Sequence, residues 1–580
     1  MRKCLLFIIL FPNLCLSQNI YNPYLLYENL GGMYDKDSLR TIDINFYNSD
    51  FNNILDSTFY NDPLYRLPAQ IIFNNIILDS VAIRYKGNSS YTKCNSVVKK
   101  PYNIDMNDII SGQKLMGYKK MKLSNSWFDP TFLKELLATK IYQRYLPTYE
   151  TNLLKVNTQG NYTGLYLNQE SINKQFLEKH FSEKDGAFFK CDPIDMLIYS
   201  PNLEFLGTDS SLYYNSYELK SDHGWSSLVN LIDVLNNTPS DIESVLNVDR
   251  VLWYFAANHI IMNYDTYNIG SPHNYYLYQT GDNLFQIIPW DLSESFINAS
   301  GSTPTGTLSD PYSIQPNKPL LNLLLNNQLY RKIYTAHLRT IINESLDTSW
   351  FLQNINSLQS LAYPAVISDT EKGYSNQDFF DNISQVSVLN QWISAQPFMP
   401  VILARINDLT QNPEINLTPP TISNLNIFGN YISAEVFGAD SVHLMLTLSE
   451  YNSGFQEIVM NDDGQNGDVV AGDGIYTTNY QFPVNGDEVK FYIRAYNNDA
   501  LILLPERAEY VFYTYSLTTG NINTSNTNQK NLLNVTDILG RSIIPKYNMP
   551  LFYIYDDGTV EKKISRVKVF TIRKRMERWK

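Results

Sequence analysis

The sequence predicts an α+β protein of several domains, and three observations predict it. Two aspartates, Asp265 and Asp291, flank an alternating aromatic run that turns at Gly281-Asp282-Asn283, the pattern of a β-hairpin placed after a long helical stretch. Leucine-rich helical periodicity recurs beyond the hairpin, from Pro319 to Asn343 and from Ser387 to Leu409. Near Pro413 to Pro420 this ends, and from Ile422 to Tyr515 short alternating runs separated by Gly and Asn turns replace it.

Composition bounds the rest. A chain of 580 residues, 44% hydrophobic and 13% aromatic, can build packed cores. A net charge of −13 argues against a general nucleic-acid binder, because phosphate affinity needs a surplus of Lys and Arg. Arg2 and Lys3 precede an apolar run from Leu5 to Leu10, with small Ser17 closing it, so residues 1–17 read as a signal peptide. No later segment is apolar for the roughly 18 residues a membrane helix requires, so the mature chain is expected to be exported without a transmembrane segment. Removing the signal leaves Cys94 and Cys191, which form either one disulfide or two separate buried thiols.

In order, Thr41 to Phe73 is strand-like and loop-rich, and the strand Ile76 to Arg84 runs into the turn Tyr85 to Tyr91. Strands at Lys99 to Asp105 and Lys119 to Leu123 follow, and Asp129-Pro130 opens a helix through Arg144. Two strands meet at Gln159-Gly160, and a helix spans Ile172 to Phe181. Asp241 to Tyr264 reads as one long helix that delivers Asp265. A hairpin brings the residues before its first strand and after its second to one end, so Asp265, Asn274 and Asp291 are expected to converge. Convergent Asp, Asn and Asp suit phosphoryl transfer: oxygen ligands hold Mg²⁺ while a free carboxylate orients the attacking hydroxyl. Singly, each aspartate reads more readily as a cap or turn former than as a catalytic group. His259 and His273 have no paired ligand at metal-binding spacing and read as packing or polar loop residues.

RYKGNSSY at Arg84 to Tyr91, KKPYNIDM at Lys99 to Met106, GQKLMGYKKMKLSNSWFDPTFLKELLA at Gly112 to Ala138, GNYTGLYLNQESINKQFL at Gly160 to Leu177, and NYYLY with IPWDL between Asn274 and Leu292 resemble the CotH kinase family of secreted, spore-coat-protein-H-like kinases. The resemblance runs from about Ile42 to Leu409. It implies an atypical protein-kinase-like bilobal domain over residues 18–412 that uses ATP and Mg²⁺ (or Mn²⁺) on Ser or Thr of exported proteins. It implies Asp265 as the catalytic base, with Asp291 and Asn274 as metal ligands. The turn carrying Arg84, Gly87 and Ser89 would face phosphate. Lys100, with Glu170 as its partner, would contact the α- and β-phosphates, and Lys122, on a strand leading to Glu135, is the rival for that role. Ser293 and Ile297 depart from the family pattern, which weakens a second metal site. A non-catalytic surface or adhesion protein is the alternative. Glycoside hydrolysis by Asp265 and Asp291 is a third reading.

Residues 413–516 read as an immunoglobulin-like β-sandwich. Within it, the clustered Asp and Gly of 461–474 suit either Ca²⁺ or tight turns. Residues 517–530 form a linker. NLLNVTDILGRSIIPKYNMPLFYIYDDGTVEKKI from Asn531 to Ile564 resembles a type IX secretion C-terminal sorting domain, a small β domain. That implies contact with the type IX machinery and a secreted or outer-surface location in a gram-negative bacterium. Residues 565–580 are a basic tail without an assigned role.

Overall fold

Alternation of buried and solvent-facing residues rolls the first seven long strands into a closed barrel. Around it they run Arg40–Phe46, Leu67–Phe73, Ile76–Tyr85, Tyr102–Asp105, Lys120–Ser124, Asn161–Gln169 and Thr151–Thr158. Every neighbouring pair is antiparallel except Arg40–Phe46 against Thr151–Thr158, which closes the barrel in parallel. Ile42, Ile44, Ile71, Phe73, Val81 and Ile83 fill its interior. The computed structural model describes residues 19–27, 31–94, 96, 98–297, 309–390, 393–483 and 487–516, and three later strands. The signal peptide, the linker and the basic tail lie outside the described residues.

The Thr41–Phe73 stretch hides a helix, Phe51–Asn61, that the sequence reading missed. Only Phe51 and Leu55 are buried on it, and no side chain caps its start, so its period is barely marked. Burial of Leu55, 1% exposed, contributes about 1.5–3 kcal/mol toward holding it on the barrel. The helix expected from Asp129 begins at Lys134 instead. Asp129 accepts from the backbone N–H groups of Thr131 (2.9 Å) and Lys134 (2.8 Å), so the intervening residues form a turn closed by the aspartate.

The long helix expected over Asp241 to Tyr264 is broken in two, a 3₁₀ turn Pro239–Ser244 and the α-helix Val248–Ile261. The break has a cause: Asn247 N–H donates to the Phe285 carbonyl (3.0 Å) and Phe285 N–H to the Val245 carbonyl (2.8 Å). Those backbone groups therefore pair with the hairpin and not with a helix. Asn247 then caps the new helix by accepting from Arg250 N–H at 2.9 Å. Asn247→Ala is expected to lower stability by about 1 kcal/mol, read as a lower urea midpoint with unchanged slope. Every residue of Val248–Ile261 except Asp249 is buried, as befits a helix through the centre of a core.

Ser387 to Leu409, expected to be helical, folds as strands Ser387–Asn390 and Ile393–Ala395 before the helix Phe398–Thr410. The helices Trp225–Asn237 and Thr348–Ser368 complete the helical part. Cys94 and Cys191 are both free thiols.

Past residue 420, a six-stranded sheet faces a three-stranded one, Thr421–Phe428, Tyr431–Phe437 and Ile475–Asn479, across a shared apolar core. The edge of the larger sheet is Asn19–Tyr21, paired antiparallel with Phe512–Tyr515. These sheets are not separated from the helices: Met445, Phe455, Leu501 and Phe512 belong to the helical core. Trp253 Nε1–H donates to the Ala508 carbonyl (3.0 Å) and Arg507 Nε–H to Glu344 (2.7 Å). Met1–Leu517 therefore form one compact unit and Thr518–Lys580 a second, which holds the three strands Leu532–Thr536, Pro550–Tyr555 and Val560–Ile564. In the 461–474 loop, Asp462 accepts from Gly472 (2.7 Å) and Gly474 (2.9 Å) N–H and Asp468 from Gly464 N–H (2.5 Å), so these carboxylates staple the turns.

Candidate active site

The hairpin forms as its alternation requires, Tyr275–Gln279 against Phe285–Pro289 with Tyr275 opposite Pro289. Beyond that last pair, Trp290 N–H donates to the Asn274 carbonyl at 3.1 Å, which fixes Asn274 and Asp291 at the open end. Both adopt left-handed backbone, φ +58° for Asn274 and +52° for Asp291, a conformation Asn and Asp tolerate better than other side chains. Asp265 arrives from the other direction, past the left-handed C-cap Met262. Asn274 Nδ2–H donates to its carboxylate at 2.8 Å and to its carbonyl at 3.1 Å. The structure thus joins Asp265 and Asn274 directly.

Two residues the sequence reading did not place complete this wall. His273 Nε2 lies 2.9 Å from Asp265 Oδ1 while its Nδ1 faces the Ser271 carbonyl at 2.8 Å. Burial opposes its charge, but the hydrogen bond to Asp265 and the charge on that carboxylate outweigh it and lift the imidazole to about 9. His273 is therefore more than a polar loop residue: as an imidazolium it anchors Asp265. Glu294 is raised to about 7, first by burial and then by Asp265 and Asp291 together. The bonds of Asn274 to Asp265 on one side and to Trp290 N–H on the other hold the two flanks of the hairpin at one end. Asp291 itself accepts from Ser293 Oγ–H at 2.6 Å, so Ser293 orients this carboxylate.

The facing wall comes from the barrel. Lys86, at the end of Ile76–Tyr85, donates to Gln169 Oε1 (2.8 Å), and Gln169 Nε2–H donates to Glu135 Oε1 (2.6 Å). Tyr149 O–H donates to the same Glu135 oxygen (2.6 Å) and accepts from Leu292 N–H (3.0 Å), next to Asp291. Glu135 is pushed up to about 7, by burial first and by Asp291 second. Lys122 Nζ stands 3.7 Å over the ring of Trp290. Burial, then Lys86, Lys190 and Lys220, hold its ammonium well below the ordinary lysine value. An acidic chain thus sets two lysines, Lys86 and Lys122, beside Asp291, a local arrangement suited to a polyanion.

The other expected residues fall elsewhere. Lys100 donates to the Tyr91 carbonyl at 3.1 Å and stands 4.6 Å over the Tyr91 ring. Glu170 accepts from Glu150 N–H at 3.0 Å and faces Lys179 at 3.8 Å, so it is no partner for Lys100. Of the two rival lysines it is Lys122, joined by Lys86, that lies beside Asp291, while Lys100 is turned to Tyr91. Arg84 donates to the Pro63 carbonyl at 2.8 Å. Gly87 has φ +82°, and a Cβ there would lie 2.1 Å from Ser90 Oγ, so glycine is required for the turn. Ser89 opens the single helical turn Ser89–Thr92 beside it. Lys86 was legible only as the residue before Gly87, and Glu294 only as an acid three residues after Asp291.

The donors around the hairpin's open end are oxygens: the carboxylates of Asp291 and Glu294 and the Oδ1 of Asn274, which accepts no hydrogen bond among the described residues. Hard divalent cations take such ligands. Among the described residues the only three acidic groups with ligand atoms all within 4.8 Å are Asp462, Asp468 and Asp473, so Asp265, Asp291 and Glu294 form no closed cage. An open arrangement of this kind fits Mg²⁺, which is usually held by one or two carboxylates and completed by phosphate oxygens and water.

No curated protein matches the chain. Residues 83–397, which include both walls of the cleft from Lys86 to Glu294, match the family described as CotH kinase protein. That match spans more than half of the 580 residues, and the chain accordingly belongs to the CotH kinase family.

Proposed function

We propose that this protein is an exported atypical kinase that transfers the γ-phosphoryl group of ATP to Ser or Thr of secreted or surface proteins. The observation that carries the reading is the meeting of Asp265, Asn274 and Asp291 opposite Lys86 and Lys122. In this reading the barrel is the nucleotide-binding lobe of a two-lobed kinase-like domain and the helices form the acceptor lobe. The paired sheets after residue 420 are an immunoglobulin-like accessory domain. The signal peptide and the type IX sorting domain direct export to the outer surface.

Lys86 and Lys122 bind the triphosphate as point charges, and the Gln169–Glu135–Tyr149 chain fixes where the first of them stands. Asp291, oriented by Ser293, would hold the metal with Asn274 and Glu294, and Mg²⁺ bound there would neutralise phosphate charge. Asp265, pinned by His273 and Asn274, orients the acceptor hydroxyl and takes its proton as that oxygen bonds to the γ-phosphorus and ADP leaves. Glu294 supplies a carboxylate one residue past Ser293, which answers the departure from the family pattern there.

The test is incubation of the purified chain with γ-labelled ATP, Mg²⁺ or Mn²⁺ and exported candidate proteins. Label on Ser or Thr is the expected result. In parallel, Mg·ATP at about 100 times its Kd is expected to stabilise the fold by about 2.7 kcal/mol, read as a higher unfolding temperature. No shift at any nucleotide concentration would transfer support to the non-catalytic surface protein.

A further inference from the structure

A second polar cavity lies away from the catalytic cleft, where the N-terminal strand, the helical core and the paired sheets meet. Its wall includes Tyr21, His180, Phe181, Arg250, Glu509 and Tyr510. Arg250 is 8% exposed, yet among the described residues its guanidinium donates no hydrogen bond and forms no ion pair; only its backbone N–H is engaged, by Asn247. The guanidinium stands over the rings of Phe181 and Tyr510, 5.9 and 5.8 Å from their centroids. A buried arginine with its donors unused is costly unless an acceptor arrives from outside the chain.

The neighbouring acids do not fill that need. Asp249 spends one oxygen on His337 (2.8 Å) and the other on Glu509 N–H (3.0 Å). Glu509 accepts from Tyr492 O–H (2.9 Å), and burial, followed by repulsion from Asp249, lifts its carboxyl to about 8, so it is mostly protonated at neutral pH. On the same wall, His180 Nε2 is buried without a hydrogen-bond partner.

We infer that this cavity binds a small oxyanion, a phosphate or carboxylate group, held by the Arg250 guanidinium between aromatic walls. The planar fork of arginine matches two oxygens of either group. The occupant would tie the strand Asn19–Tyr21 to the helix Val248–Ile261, which leads toward Asp265, and to the second sheet system. The site is independent of the nucleotide reading.

The experiment follows thermal unfolding of the chain in sodium phosphate, sodium acetate and sodium chloride at equal ionic strength. A saturable rise of at least about 2 °C over chloride is expected, and whichever anion produces the larger rise identifies the class. Arg250→Gln should abolish the rise, while the Lys86→Ala/Lys122→Ala double variant, which strips the catalytic cleft of its cations, should keep it. An equal rise in Arg250→Gln, a rise lost only in the double variant, or none with either anion overturns the inference. Should Arg250→Gln fail to fold, crystals of the unaltered chain soaked in arsenate decide the matter: an anomalous peak beside Arg250 is expected, and its absence sinks the idea.

Discussion

Asp265→Ala is expected to lower phosphoryl transfer by about 10²–10⁴-fold, the contribution of a positioned general base, while leaving the Mg·ATP thermal shift intact. In the proposed reaction this carboxylate serves the acceptor; it is tied to His273 and Asn274, and among the described residues neither Lys86 nor Lys122 bonds to it. Asp291→Ala is expected to remove both transfer and shift, because Asp291 lies among Lys86, Lys122 and Glu294 and is the proposed ligand of the metal that would hold the phosphates. Single-turnover labelling beside differential scanning fluorimetry separates the two. If Asp265→Ala lost nucleotide binding as Asp291→Ala does, the assignment of separate roles would fail.

Asp369→Ala is expected to cost about 3–5 kcal/mol of stability, the usual penalty for stranding a buried charge. Lys99 and Asp369 form an ion pair with side chains 2% and 0% exposed, and Asp369 also accepts from Leu165 N–H at 3.0 Å. Gly164 is the room this pair needs: a Cβ there would lie 2.5 Å from Asp369 Oδ2. Lys99 comes from the stretch before the Tyr102–Asp105 strand and Asp369 from the end of the helix Thr348–Ser368, so the pair pins the barrel to the helical part. Urea unfolding followed by tryptophan fluorescence measures the loss. The double change Lys99→Met with Asp369→Leu should recover part of it, because it removes the stranded charge but still leaves Leu165 N–H without its acceptor. A loss under 1 kcal/mol in the single variant would show that water reaches Lys99.

What could be read from the chain follows what each pattern encodes. Period-two alternation placed the hairpin, the strands around Gln159-Gly160 and the sheets after Ile422, because a strand's side chains declare their face locally. Alternation also makes Met121 and Leu123 barrel-facing and turns Lys120 and Lys122 outward. It does not say which outward sector faces Asp291, and that is why Lys100 and Lys122 remained rivals. Glu170 was assigned to Lys100 through the resemblance of its LNQE block, whereas the partner it finds, Lys179, is set by how the Lys174–Phe181 helix packs back. Glu135 and Gln169 reach one another across 34 positions, a distance no local rule spans. The broken helix at Val245–Asn247 failed for a related reason: a long-range backbone pairing with Phe285 overrode good helical spacing. Ser387–Ala395 mimicked a helix because its apolar residues fit either period over so short a run.

The pairing of Asn19–Tyr21 with Phe512–Tyr515 has a consequence in time. At ribosomal speeds of about 5–20 residues per second, its partner is not made for roughly 25–100 s after the first strand emerges. Through that interval the strand is an unsatisfied edge, open to pairing with another chain until the last of the sheet has arrived.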